Sequence, residues 1–214
     1  MYVKVCGLRT EADVACAAEA GADAVGFVLS ESPRQVDPDV VRALVAATPE
    51  PVLTVAVLGG VPVAEAKRLA LATGVAAVQL HGRYPRSAFD AFAGLPVRLI
   101  RATAVEPDTD LSTGAYGEEM LLLDSRVAGS GHRWDLAVLD GVRPRGRWLL
   151  AGGLAPANVA EAITAARPWG VDVSSGVESR RGVKDHGLIR DFLAGVAAAG
   201  PSAGEPGPPM ASAG

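Results

Sequence analysis

Short apolar runs rich in Val and Leu alternate along the chain with longer Ala-rich stretches whose apolar positions recur at helical spacing. The runs predict strands at residues 3–6, 24–29, 52–57, 76–80, 97–101, 120–124, 148–151 and 171–174. The stretches between them predict helices at residues 11–20, 38–47, 62–72, 85–93, 156–165 and 186–198. Several of these helices are predicted to open with Pro, which suits a first helical turn. Strand alternating with helix predicts a parallel sheet.

Eight strands in a chain of 214 residues leave two architectures, a closed barrel and an open doubly wound sheet. No Gly-x-Gly-x-x-Gly follows the first strand, which weakens the dinucleotide-binding alternative. Glycines cluster instead after the last strands, where barrels build phosphate sites. We therefore predict an α/β fold, a parallel (β/α)8 TIM barrel that occupies residues 1–199 as a single domain.

Two segments depart from the repeating pattern. Residues 104–119 contain Pro107, Ser112, Gly114 and Gly117, so the fifth helix is predicted to be weak or missing. Residues 200–214 are mostly Pro, Gly, Ala and Ser, a composition that cannot bury a core. We predict that this tail is disordered.

Charge and cysteine content exclude several classes of partner. A formal net charge of −4 provides no basic field for nucleic acid. No apolar run reaches the roughly 20 residues of a membrane span. Two cysteines, and a chain that starts directly with a strand-like run, indicate a cytoplasmic protein with free thiols. An apolar helix face packs equally well inward or against a second copy, so either a monomer or a homodimer is expected.

The search for catalytic residues begins at the carboxyl ends of the strands, where barrel enzymes carry their chemistry. Cys6 ends the first strand, and Lys4 shares its side of that strand because side chains alternate. A buried ammonium beneath the thiol would favour the thiolate and lower the pKa of Cys6 from about 8.5, which would make it a base near neutral pH. The alternative is that Cys6 is a small buried hydrophobic residue.

Asp124 ends the apolar run Met120-Leu121-Leu122-Leu123. Apolar surroundings raise a carboxyl pKa, which a general acid near pH 7 requires. The alternative is an ordinary helix-capping or loop carboxylate. A thiol base and a carboxylic acid on separate strands suit proton transfer on two sides of a small substrate.

Glycine-rich turns follow the last two strands, with Gly152 and Gly153 after the seventh and Ser175 and Gly176 after the eighth. Such turns present backbone N–H groups to anions, although glycines follow many strands that bind nothing. Their joint placement on neighbouring strands predicts a phosphate site and a phosphorylated substrate.

Four further side chains are candidates for substrate binding. Arg34, in Ser-Pro-Arg, has the fork that holds a carboxylate, although a loop Arg is usually just solvated. Gln79 and His81 have inward parity on the fourth strand, and a lone His is often structural. Asp172 faces inward beside the first strand and could pair with Lys4 or with substrate. Only three His residues, without carboxylate partners at ligand spacing, argue against a metal site.

Eight short motifs follow one another along the chain, namely Lys4-Val5-Cys6-Gly7-Leu8, Gly26-Phe27-Val28, Ser32-Pro33-Arg34, Val78-Gln79-Leu80-His81-Gly82, Leu122-Leu123-Asp124-Ser125, Leu150-Ala151-Gly152-Gly153-Leu154, Asp172-Val173-Ser174-Ser175-Gly176-Val177-Glu178 and Gly182-Val183-Lys184-Asp185. In this order the motifs resemble the phosphoribosylanthranilate isomerase family. The resemblance runs from residue 3 to about 195 and is most specific in the combination of its opening Cys-Gly and its closing Ser-Ser-Gly-Val-Glu.

The resemblance implies an Amadori rearrangement in tryptophan biosynthesis, in which phosphoribosylanthranilate becomes carboxyphenylamino-deoxyribulose phosphate. Carried over by motif, Asp124 is the general acid at the furanose ring oxygen and Cys6 is the base at the sugar carbon next to the resulting imine. The anthranilate carboxylate would meet Arg34, and the phosphate would meet the last two loops. No metal or cofactor is implied, because the imine serves as the electron sink.

Three places depart from the family pattern: Leu58-Gly59-Gly60 after the third strand, Arg83 in place of an acid, and a shortened sixth loop at residues 127–135. Two other functions are alternatives. The histidine-pathway isomerase performs the same reaction on a barrel with Asp at the end of the first strand, where this chain has Cys6. A non-catalytic phosphate-binding barrel would be expected to lose Cys6 and Asp124 first.

Overall fold

Eight strands pair in chain order, each parallel to its neighbour, and the first pairs with the eighth to close a barrel. The computed structural model describes residues 1–106, 108–124 and 144–200. The strands are β1 (Tyr2–Cys6), β2 (Ala24–Val28), β3 (Leu53–Gly59), β4 (Ala77–His81), β5 (Arg98–Ala104), β6 (Met120–Asp124), β7 (Trp148–Leu150) and β8 (Gly170–Val173). The predicted parallel TIM barrel is confirmed.

Six helices are present in the described residues, namely α1 (Glu11–Glu19), α2 (Pro38–Ala47), α3 (Val63–Thr73), α4 (Arg86–Asp90), α5 (Val159–Ala166) and α6 (His186–Ala198). A 3₁₀ turn at Ser175–Val177 and a hairpin of β9 (Glu178–Arg180) and β10 (Val183–Lys184) join β8 to α6. None of the described helices is long and apolar enough to span a membrane.

Alternation along each strand sorts side chains into two apolar layers. One set fills the barrel interior, including Val55, Ile100 and Leu122. The other set, including Phe27, Leu58 and Leu80, packs beneath the surrounding helices. Because neighbouring parallel strands are in register, residues of interior parity at the strand ends collect at one mouth of the barrel.

Local capping explains where the helices begin. At α1, the Thr10 side chain accepts a hydrogen bond from the Asp13 N–H and the Asp13 carboxylate accepts one from the Thr10 N–H, which forms a capping box. Asp37 caps α2, whose first residue is Pro38 as predicted. Asp185 caps α6 through the N–H groups of Gly187 and Leu188.

Several element boundaries differ from the sequence prediction, and one hairpin was not predicted. The fourth helix spans only Arg86–Asp90, where residues 85–93 were predicted. The helix after β7 begins at Val159 and not at residue 156, because Asn158 closes a preceding turn by accepting from the Ala155 N–H and donating to the Gly153 carbonyl. The hairpin of β9 and β10 was not predicted, because its strands are too short to show an alternating pattern of apolar and polar residues.

No helix forms among the described residues between β5 and β6, as predicted. The outward-facing Arg101 organises this loop instead. Its guanidinium pairs with Glu118 at 2.7 Å, donates to the Asp110 and Ser112 carbonyls and lies 4.5 Å from the Tyr116 ring centre. Irregular chain therefore covers the face of β5 that a helix covers elsewhere in the barrel.

Candidate functional site

Most predicted site residues lie at the carboxyl ends of the strands, where their side chains face the barrel mouth. Cys6 ends β1, His81 ends β4 with Gln79 two residues before it, Asp124 ends β6 and Asp172 lies on β8. In the strand order, β6 is separated from β1 by β7 and β8. Cys6 and Asp124 therefore approach the mouth from different sides, and a bound molecule between them could meet both.

Lys4 forms a buried ion pair below Cys6. Its ammonium is fully buried and lies 2.8 Å from Asp172 Oδ1, and the two residues are also register partners across the β1–β8 pairing. Burial acts to lower the pKa of Lys4, but the charges of Asp172 and Cys6 raise it above its usual value. Lys4 is therefore a permanent positive charge, and the predicted pairing of Lys4 with Asp172 is observed.

The predicted effect of Lys4 on Cys6 is wrong in its net direction. Lys4 does interact with the thiol and acts to lower its pKa. Burial is the larger effect, however, and it raises the pKa of Cys6 above its ordinary value despite Lys4 and Lys184. Cys6 is 6 % exposed, so a thiolate there has little contact with water.

Asp124 and His81 approach each other at the mouth. His81 Nε2 lies 3.7 Å from Asp124 Oδ2, which is ion-pair range if the imidazole is protonated but too long for a hydrogen bond. Asp124 is 9 % exposed, at the end of the apolar strand predicted to carry it. This proximity was not predicted, because it depends on how the sheet curves across β5, which lies between β4 and β6.

Gln79 lies deeper on β4, with 2 % of its surface exposed. Its Oε1 atom has no hydrogen-bond partner among the described residues. A buried amide oxygen without a partner is costly in a folded protein. Gln79 therefore offers an acceptor to a group that enters the mouth from outside.

Arg34 is held by Glu178, a residue that the sequence analysis did not select. Arg34 Nε and Nη2 donate to the two Glu178 oxygens at 2.6 and 3.1 Å. Lys184, also missed, donates to Glu178 Oε1 at 3.1 Å and to the Ser174 carbonyl at 2.8 Å. Arg34 is thus neither simply solvated nor isolated. Its carboxylate partner comes from the chain itself.

Burial and pairing compete within this group. Burial acts to raise the pKa of Glu178, but the Arg34 guanidinium, the Gly182 N–H and Lys184 together lower it below the usual range. Burial lowers the pKa of Lys184, although Glu178 opposes the change. The only sequence signal for Glu178 and Lys184 was their place in motifs shared with a family. The charge of Glu178 alone does not reveal its partner Arg34, which lies 144 positions away.

The predicted phosphate residues lie in two loops that touch. Gly152 and Gly153 have φ of +86° and +65°, a backbone region that favours glycine. A Cβ on Gly176 would lie 1.8 Å from the Leu154 carbonyl oxygen, so the loop after β8 packs directly on the loop after β7. Within the described part of the chain, the N–H groups of Gly153, Ser175 and Gly176 bond to no backbone acceptor.

A cavity of about 880 Å³ lies at the opposite end of the barrel. It is walled by the stacked rings of Tyr2 and Trp169, whose centres are 4.7 Å apart, together with the amino ends of the strands. No predicted site residue lines it. The chemistry-bearing side chains belong to the other mouth.

Comparisons with known proteins agree with this geometry. A family model described as N-(5'-phosphoribosyl)anthranilate (PRA) isomerase matches residues 3–194. The PRA isomerase of Symbiobacterium thermophilum is 41% identical over 217 aligned positions, which cover 91% of this chain and 97% of that protein.

Solved structures give the same result. TrpF from Jonesia denitrificans is 48% identical with a TM-score of 0.86, covering 93% of this chain and 98% of that one. A PRA isomerase in complex with reduced 1-(o-carboxyphenylamino)-1-deoxyribulose 5-phosphate is 34% identical with a TM-score of 0.80, covering 92% and 99%. Family model, relatives and fold coincide over nearly the whole described barrel, and the chain belongs to the N-(5'-phosphoribosyl)anthranilate isomerase family.

Proposed function

We propose that the protein isomerises N-(5'-phosphoribosyl)anthranilate in tryptophan biosynthesis with Asp124 as general acid and Cys6 as general base. The observation that carries this assignment is that both residues end their strands. Their side chains face the barrel interior on different sides of one mouth. Two proton transfers at different atoms of one sugar require two such groups.

Protonated Asp124 donates its proton to the furanose oxygen, and the bond from that oxygen to C1' breaks to leave an iminium ion. Cys6 thiolate then removes the proton from C2', whose electron pair forms the C1'–C2' double bond of an enol. The proton taken up by Cys6 returns at C1', and the hydroxyl proton of the enol passes to the Asp124 carboxylate, which yields the ketose and restores both groups. Because the iminium nitrogen accepts the electron pair, the proposal assigns no metal or cofactor.

The raised pKa of Cys6 has two opposite consequences for catalysis. Less thiolate is present at neutral pH, but a thiolate of higher pKa is the stronger base once it forms. The Lys4 ammonium, held by Asp172, stabilises that thiolate without being able to neutralise it by proton loss. We propose this as the function of the buried pair.

The substrate's two anionic ends are assigned to different loops. The phosphate is proposed to bind the N–H groups of Gly152, Gly153, Ser175 and Gly176, and the anthranilate carboxylate to bind Arg34. Gln79, His81 and Asp172 would contact the sugar between them. Asp172 engages Lys4 through Oδ1, and its Oδ2 makes no hydrogen bond within the described residues. The same carboxylate can therefore meet both Lys4 and substrate.

The test is fluorescence turnover of freshly prepared phosphoribosylanthranilate by the purified protein and four variants. Loss of a general acid or base costs about 10²–10⁴ in rate, so Cys6→Ala and Asp124→Asn should each lower kcat by that factor. Cys6→Ser should be nearly as slow, since a hydroxyl is a far weaker base. Cys16→Ala is the matched control, because Cys16 is also a buried free thiol but lies on α1.

Circular dichroism would establish that each variant is folded. Iodoacetamide should inactivate the wild type and Cys16→Ala but leave the residual rate of Cys6→Ala unchanged, and substrate should protect. A Cys6→Ala variant with wild-type kcat and an unchanged spectrum would reduce the thiol to packing and disprove the proposed base.

We further propose that the protein acts in the cytoplasm as a monomer or homodimer. A phosphoribosylanthranilate isomerase from Thermotoga maritima, 33% identical with a TM-score of 0.80, is described as dimeric. Light scattering of the purified chain distinguishes the two states.

A further inference from the structure

The pairing of Arg34 with Glu178 leaves one edge of the guanidinium open. Arg34 has five N–H donors, and the contacts through Nε and Nη2 use two of them. The remaining donors include one N–H on Nη1 and one on Nη2. These two N–H groups form the end-on edge of the guanidinium. That edge can hold a second carboxylate through two parallel hydrogen bonds.

Glu178 is held by further hydrogen bonds in addition to those from Arg34. Besides the two bonds from Arg34, it accepts from the Gly182 N–H at 3.0 Å and from Lys184 Nζ at 3.1 Å. Its side chain is 4 % exposed and that of Lys184 is 1 % exposed. A carboxylate that accepts from donors on three sides cannot rotate, so the plane of the Arg34 guanidinium is also set.

Lys184 determines the charge that the open edge presents. A lone Arg34–Glu178 pair is neutral and would offer little attraction to an anion. The buried Lys184 ammonium adds one positive charge to the group. Arg34, Glu178 and Lys184 together are cationic, and the positive potential reaches solvent at the guanidinium, whose side chain is the most exposed of the three.

The group is also anchored beside the proposed base. Lys184 donates to the Ser174 carbonyl, and the Ser174 hydroxyl donates to the Cys6 carbonyl at 3.1 Å. A Cβ on Gly7 would lie 2.7 Å from Arg34 Cδ, so the arginine side chain crosses directly over the turn that follows Cys6. The position of the guanidinium is thereby tied to the backbone that carries the thiol.

We propose that Glu178 is a positioning residue for the substrate's carboxylate: it holds Arg34 so that the end-on edge faces the mouth, while Lys184 keeps the group cationic. The inference rests on the proposed binding of the anthranilate carboxylate by Arg34. It adds that recognition of an aromatic carboxylate depends on a second, buried carboxylate of the protein.

The isosteric change Glu178→Gln separates positioning from charge. If Glu178 merely dilutes the positive charge, its neutralisation should tighten binding of an anion. If it positions Arg34, the amide NH₂ of Gln must face a guanidinium N–H in either orientation, together with Lys184 Nζ in one and the Gly182 N–H in the other. All of these are donors, so the fork should turn away. We expect the Kd of the reduced carboxyphenylamino-deoxyribulose phosphate and the KM of the substrate to rise about tenfold, the loss of one well-aligned charge-assisted contact, with a smaller change in kcat.

A double-mutant cycle with Arg34→Ala tests whether Glu178 acts through Arg34. Glu178→Gln should weaken binding of the reduced analogue in the wild-type background and have almost no effect in Arg34→Ala. Inhibition by inorganic phosphate should be the same in all four proteins, because phosphate has no carboxylate for Arg34. Glu178→Asp retains the charge and replaces Glu178→Gln if that variant fails to fold. We expect Glu178→Asp to weaken binding of the reduced analogue, but by less than Glu178→Gln.

Binding of the reduced analogue is measured by calorimetry and does not depend on turnover. Failure of the positioning role can therefore be distinguished from failure of the proposed function. A wild type that binds the analogue but does not isomerise the substrate would contradict the proposed catalytic residues and leave the Glu178 cycle intact. Additive losses, tighter binding by Glu178→Gln, or an equal loss of phosphate inhibition would each overturn the positioning role.

Discussion

Cys6 shows how burial and neighbouring charge compete at a single residue. Its position at a strand end and its proximity to Lys4 follow from alternation, and both were predictable. The depth of burial was not, because it depends on the strands and loops packed around β1. Burial outweighs the charge of Lys4, so the pKa of Cys6 is raised where the sequence predicted that it would be lowered.

The raised pKa predicts an alkaline pH profile. Only the thiolate reacts with iodoacetamide, so the rate of Cys6 alkylation in Cys16→Ala should rise about tenfold per pH unit from pH 7 and continue to rise beyond about 8.5, the ordinary thiol value. Thiolate absorbance near 240 nm, measured in Cys16→Ala so that Cys6 is the only thiol, should follow the same curve. A plateau reached below pH 7.5 would show that Lys4 outweighs burial after all.

At the scale of elements, the loops after β7 and β8 work as a unit because each limits the other. Gly176 has no room for a side chain against Leu154, and Gly153 has a backbone that favours glycine. The sequence indicated both loops by their glycines. Only the structure shows that the two loops are in contact.

Gly153→Val should therefore abolish phosphate recognition. The matched control is Gly74→Val at the end of α3, where φ is +69° and a Cβ meets nothing within 4 Å. Both changes impose similar backbone strain, of order 1–2 kcal/mol or more. We expect both to lower the thermal midpoint, but only Gly153→Val should raise KM and prevent inhibition by inorganic phosphate.

Gly176→Val adds a steric test of the same site. Its control is Gly170→Val at the other end of β8, where a Cβ would lie 2.5 Å from the Tyr2 carbonyl oxygen. Both variants should lose stability. Unaltered phosphate inhibition in Gly153→Val and Gly176→Val would place the anion elsewhere.

The loop between β5 and β6 depends on a buried ion pair in place of a helix. Arg101 and Glu118 have side chains that are 5 % and 0 % exposed. Removal of one partner leaves an uncompensated buried charge, which costs about 3–5 kcal/mol. Because two loop carbonyls also accept from Arg101, we expect the lower end of that range for Glu118→Gln, and a thermal midpoint lower by about 6–12 °C.

The control for this loss is Glu65→Gln, which breaks the exposed pair of Glu65 with Arg68 on α3. An exposed pair contributes little, so its midpoint should hardly change. Scanning calorimetry gives both values. Equal midpoints for the two variants would mean that the buried pair does not hold the loop.

At the scale of the whole molecule, one closed barrel with two apolar layers is formed by the described residues, and we propose that residues 1–199 are a single domain. Helix α6 ends at Ala198, and residues 201–214 lie outside the part of the chain that the structure describes. Nothing from Gly200 onward has an apolar period that could dock on the barrel.

Truncation after Ala199 should therefore leave the thermal midpoint and the turnover of phosphoribosylanthranilate nearly unchanged. The full chain measured beside it is the control. A midpoint lower by several degrees would show that the tail packs against the domain and that its composition was misinterpreted.

Sequence alone determined the order of strands and helices, the lack of a helix among the described residues between β5 and β6, and the strand ends that carry Cys6 and Asp124, because periodicity, turn residues and alternation are local properties. The tertiary structure decided which charges meet. Lys4 and Asp172 are 168 positions apart and Arg34 and Glu178 are 144 apart, so their contacts exist only because the barrel closes. Burial is likewise a property of the closed barrel, and it set the direction of the Cys6 pKa that local charge alone could not.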